Sequence, residues 1–162
     1  MLPILLLAAL NLAAAPPQTI GTDRMSLARI SGMHVSIEGL SADAITDGLS
    51  ADQLQTDVEL KLRLAGIKLG SKFDPYIYVN VAYTKTHTTQ GYDIGYSGYV
   101  FVSFRQPADL VQNKGVRAIA STWDIGSLVF GPPGKGKEHV RDTVRDFVDK
   151  FINDYLAANR KP

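Results

Sequence analysis

The segment Gly131-Pro132-Pro133-Gly134-Lys135-Gly136-Lys137-Glu138 is the nearest approach to a chemical motif in this sequence. A phosphate-binding loop works because consecutive backbone N–H groups cradle phosphate oxygens and a final Ser or Thr holds magnesium. Here Pro132 and Pro133 remove two donors, and Glu138 puts a negative charge where the hydroxyl belongs. The segment therefore reads as a basic turn before a helix. Lys135 and Lys137, beside the free N–H groups of that helix start, are the candidates for weak anion binding.

The remaining reactive side chains assemble into nothing recognisable. His34, His87 and His139 lie in different elements without a metal-ligand spacing, so no metal is assigned. Ser97 sits in Gly95-Tyr96-Ser97-Gly98, one residue short of Gly-x-Ser-x-Gly, and in strand-like alternation instead of a strand-to-helix turn. Asp93, Asp109 and Asp124 fall near strand ends, where turns commonly recruit Asp. No catalytic residue is named and no cofactor is expected.

Aromatic residues carry more information. Tyr76, Tyr78, Tyr92, Tyr96 and Tyr99 gather around two neighbouring strand patterns, with Gly91, Gly95 and Gly98 among them. Tyrosine brings large contact area with a polar tip, which suits recognition, and a glycine within a strand marks a bulge or a close backbone approach. The plainer reading is that tyrosine favours strands and covers a sheet.

Composition narrows the class. The chain has 162 residues, 45% hydrophobic and 20% charged, which favours one globular domain. Lys plus Arg number 17 and Asp plus Glu 16, so no general field draws nucleic acid. The absence of cysteine excludes disulfides, thiolate metal sites, a thiol nucleophile and a cysteine-linked lipid. Residues 1–15 are apolar but for Asn11 and end in Ala13-Ala14-Ala15, the pattern of a signal peptide; Pro16-Pro17 stops the run short of a transmembrane span. The expected location is periplasmic or secreted, with no membrane span once the leader is removed. Retention of the leader as an anchor is the alternative.

The elements follow from periodicity. Residues 16–31 are aperiodic and read as a linker, leaving 32–160 as a single domain. Met33, Val35 and Ile37 alternate as a strand. Ser50 with Gln53 opens a helix whose stripe is Leu54, Val58, Leu62 and Ala65, widened by Leu60 and Leu64; Gly66 ends it. Three strands follow, within about 77–84, 92–106 and 116–125, joined by hairpin-length links. Val140, Val144, Phe147, Phe151 and Tyr155 give the last helix, about 137–158. The predicted class is α+β: a two-layer sandwich with a mostly antiparallel four-stranded sheet and two helices on one face, in the order β-α-β-β-β-α.

Leu62-Arg63-Leu64-Ala65-Gly66-Ile67, Thr122-Trp123 and Phe151-Ile152-Asn153-Asp154-Tyr155-Leu156 resemble segments of small, uncharacterised exported bacterial α+β proteins. The resemblance spans roughly residues 50–159. It implies an envelope location and brings no reaction.

These readings converge on a non-enzymatic envelope protein that binds another protein through the sheet face its helices leave open. Tyr78, Asn80, Tyr99, Phe101 and Trp123 are the candidates for that second face, and Tyr78, Tyr99, Phe101 and Trp123 the expected partner contacts. An enzyme of unrecognised type and a binder of a small apolar ligand are the alternatives. Neither the partner nor the oligomeric state is legible.

Overall fold

The computed structural model describes residues 21–72 and 74–160. The elements are α1 (Thr22–Met25), β1 (His34–Ile37), α2 (Ala42–Thr46), α3 (Ala51–Leu64), β2 (Tyr76–His87), β3 (Asp93–Asp109), β4 (Arg117–Gly131) and α4 (Gly136–Ala158). They form one mixed sheet, order β1-β2-β3-β4, in which β1 runs parallel to β2 and the other two pairings are antiparallel.

The α+β class stands, but the predicted order needs correction. The sheet is mixed, and four helices are present among the described residues. Hairpin-length links govern only β2–β3 and β3–β4. Between β1 and β2 the chain crosses the sheet as α2 and α3, and a crossover returns the strand in the same direction. The extra helices α1 and α2 are too short for a periodic signal. Helix α2 is held by its Ser41 cap, whose hydroxyl accepts from the Ala44 amide. Residues 21–31 are also not a linker: Leu27 is completely buried, and Arg24 pairs with Asp154 of α4 at 2.7 Å.

Helices α3 and α4 share one sheet face. Leu54, Val58 and Leu62 from α3, and Val140, Val144, Val148 and Phe151 from α4, meet Ile77, Val79, Val81, Val100, Val102 and Phe104 in one core. The predicted capping devices of α3 are present. The Ser50 hydroxyl accepts from the Gln53 amide, Gly66 adopts φ +79°, and the Ile67 amide donates back to Leu62. Leu60 and Leu64 do not widen the stripe; both are exposed.

Three strands run further than their sequence patterns, β2 reaching His87. β3 continues through Pro107, which faces Ile119. β2 has already ended opposite Arg105, so the missing Pro107 N–H costs no bond on that side. β4 extends to Gly131 because Gly126, which breaks the apolar alternation, lies within the ladder opposite Phe101.

Candidate functional site

Alternation places side chains of the antiparallel strands in transverse rows on the open face. Tyr78, Ser103 and Asp124 form one row, and Asn80, Phe101 and Gly126 the next. Ala82, Tyr99 and Leu128 follow, then Thr84, Ser97 and Phe130. The face has two chemically different halves.

The half near β1 is polar and tied down. Tyr78 Oη and Asn80 Nδ2 both donate to Glu38 Oε2, and the Arg105 guanidinium lies 3.6 Å from the centre of the Tyr78 ring. Those donors hold the Glu38 carboxyl below its ordinary range, and the same hydrogen bond pushes the Tyr78 phenol up. His34 stacks on Tyr76 with centroids 4.9 Å apart.

The half toward β4 is apolar. Tyr99 stacks on Phe101 at 6.2 Å, and its ring leans across the next strand onto Gly126. A Cβ at Gly126 would lie 2.0 Å from Tyr99 Oη, so glycine is what lets the ring lie flat. Small residues follow at Ala82, Ser97, Gly98 and Thr84. They leave a hollow of about 540 Å³ walled by Tyr99, Leu128 and Phe130. Leu128 and Phe130 are 73% and 74% exposed.

The sequence candidates separate accordingly. Tyr99 and Phe101 are brought together on the apolar half; Tyr78 shares the face but is half-buried and engaged. Trp123 is a correction: it is buried on the helical side. Its indole N–H donates to Asp154 Oδ2 at 3.0 Å, and it meets Phe151 edge-on. A β-bulge is the reason. Phe104 faces Trp123 while Arg105 faces Ser121, so Thr122 is an extra residue and Ser121 and Trp123 point to opposite faces despite their shared parity. The sequence pattern of β4 ends at Ile125 and so omits Leu128 and Phe130. The alternation Leu128-Val129-Phe130 after Gly126 was the available signal.

Beneath the hollow, on the helical side, a polar cluster pins α2 and α4. Tyr83 Oη donates to Asp47, and Lys85 Nζ lies 3.0 Å from Asp47 and 2.7 Å from Asp93. His87 meets Asp93 at 2.8 Å, and Tyr96 Oη and His139 Nδ1 are 2.6 Å apart. The Tyr83 hydrogen bond, with Lys85 beside it, holds the Asp47 carboxyl low, while burial and then Asp47 push the Tyr83 phenol up. These groups satisfy one another, and of them only Tyr83 borders the hollow. Among the described residues no group of three or more His, Asp or Glu side chains could hold a metal ion.

Lys135 and Lys137 have separate neighbours. Lys135 reaches Glu138 at 3.5 Å; Lys137 lies against Gly48 and lines a polar hollow with Ser50, Asp52, Gln53 and Arg141.

No protein-family model matches the chain, and no curated sequence matches it significantly. Among solved structures, the PelC dodecamer from Paraburkholderia phytofirmans (space group P6) is similar at 12% identity and TM-score 0.42, covering 83% of this chain and 91% of that one. A minor lipoprotein from Acinetobacter baumannii is similar at 13% and 0.38, over 77% and 91%. The rare lipoprotein B from Shewanella oneidensis is similar at 16% and 0.27, over 77% and 92%. Likeness this faint assigns no activity to the chain.

Proposed function

We propose that this is a non-enzymatic exported envelope protein that binds another protein through the apolar half of its open sheet face. The observation that carries the reading is the exposure of Leu128 and Phe130 beside the Tyr99–Phe101 stack. Large side chains that cover nothing in the monomer gain most from a partner, and aromatic rings with a polar rim are the composition of binding surfaces. The leader pattern of residues 1–15 supports export.

The test uses protein purified from the envelope fraction of its source cell, with its N-terminus read by mass spectrometry. A start near Ala15 or Pro16 is expected; a soluble cytoplasmic protein retaining Met1 removes the export reading. Wild type and Phe130→Ser are then compared for partner capture and thermal unfolding. Lost capture with unfolding within about 0.5 kcal/mol of wild type supports the surface, because exposed substitutions rarely cost more. Unchanged capture refutes it. The hollow's size also favours a second reading, a small apolar ligand, since ligand sites commonly enclose about 300–1,000 Å³. Binding of a fluorescent apolar probe by the wild type without any protein partner, lost in Tyr99→Ser, would favour that reading.

A further inference from the structure

The two edges of the sheet are treated differently. Beyond the short β1, the outer side of β2 is capped: the Ser41 hydroxyl donates to the Tyr83 carbonyl at 2.8 Å, and the Lys85 amide donates to Asp43 Oδ2 at 2.9 Å. Among the described residues no strand pairs with the outer side of β4. The stretch Trp123–Gly131 has no Lys, Arg or Pro, and Asp124 is its one charge. Such an edge carries a row of backbone donors and acceptors without the devices that usually discourage pairing.

That stretch is bounded at both ends. The Thr122 bulge, whose carbonyl accepts from the Ser26 hydroxyl at 3.0 Å, closes one end, and Pro132-Pro133 closes the other. Its midpoint is Ser127, which points to the helical side yet is exposed, so no helix overhangs the middle of the edge.

We propose that β4 pairs antiparallel with β4 of a second copy about a two-fold axis at Ser127. The two bounds set this register, and it is self-complementary. Leu128 falls opposite Gly126 of the second copy, over which that copy's Tyr99 ring lies, and Ile125 opposite Val129, so apolar side chains meet apolar ones on both faces. Ser127 meets its own equivalent, and Asp124 faces Phe130, so no like charges oppose. The axis is perpendicular to the sheet, so both apolar half-faces lie on one side of a continuous sheet, with Leu128 and Phe130 near its centre. The pairing stands independently of whether that face binds a further protein.

The chain has no cysteine, which makes the test direct. Antiparallel partners have Cα atoms roughly 4.5–5.5 Å apart, within the range a disulfide spans. Full-length Ser127→Cys should oxidise to a disulfide dimer in high yield, whereas Thr84→Cys, on the open face away from the edge, should stay monomeric. Wild type should sediment as a dimer in the micromolar range. Ser127→Lys, which sets two ammonium groups against each other on the axis, should weaken that dimer at least tenfold with unchanged thermal unfolding of the monomer. Overturning results are a monomeric wild type with Ser127→Cys cross-linking no better than Thr84→Cys, or a dimer that cross-links through Thr84→Cys instead. Loss of capture by Phe130→Ser in a protein that still dimerises would separate the face from the edge.

Discussion

Replacing Phe151 by Ala tests the packing that holds the sheet against its helical layer. The ring is completely buried, 5.5 Å from Phe104 on β3, 5.2 Å from Trp123 on β4 and 6.2 Å from Tyr155 one turn along α4. A buried aromatic side chain removes roughly 150–250 Å² from water, worth roughly 4–6 kcal/mol at about 25 cal/mol per Å². Alanine keeps a small part of that, and a space between two strands and a helix closes poorly, so the expected loss is about 3–5 kcal/mol. For a domain of this size that lowers the unfolding temperature by roughly 10–15 °C. Trp123 is the single tryptophan, so its fluorescence in urea reads the neighbourhood directly. Leu64→Ala, at a side chain 78% exposed, is the control and should cost less than about 0.5 kcal/mol. A loss below about 1 kcal/mol for Phe151→Ala would refute the placement of α4 on β3 and β4.

Gly126→Ala should drive the Tyr99 ring off β4, since the new methyl would lie 2.0 Å from its hydroxyl. The expected readout is faster nitration of Tyr99, mapped by mass spectrometry, with stability within about 1 kcal/mol of wild type because alanine suits a strand better than glycine. Unchanged nitration would refute the ring's position. Acid should weaken the fold through Asp57, which joins α3 to α4. Burial alone would raise its carboxyl, but Arg141 at 2.7 Å and Gln53 outweigh this and lower it below 3.8. A lowered folded value means that the contribution is complete above the unfolded value near 3.8 and fades as pH falls through the folded one. Unfolding temperature should therefore drop as pH falls below the unfolded value near 3.8 and on through the lower folded one, and Asp57→Asn should flatten that slope. An equal slope in the variant would refute it.

Local features were legible in the sequence wherever one short segment contains both cause and effect. The α3 cap at Ser50, its glycine stop at Gly66 and the Val140–Phe151 stripe of α4 are examples. The α+β class follows because periods of 3.6 and 2 are written along the chain. Other features depend on residues distant in sequence. The direction of β1 is set by a crossover, not by its own residues, and α1 and α2 are held by contacts rather than periodicity. The same distinction governs the candidate site. Alternation legitimately placed Tyr99 and Phe101 together, because strand parity is local. It misplaced Trp123 because one extra residue at Thr122 reverses parity, and a bulge is stabilised by the neighbouring strand. It passed over Leu128 and Phe130 because Gly126 interrupts the pattern, and only Tyr99, contributed by the neighbouring strand, explains why a glycine belongs there.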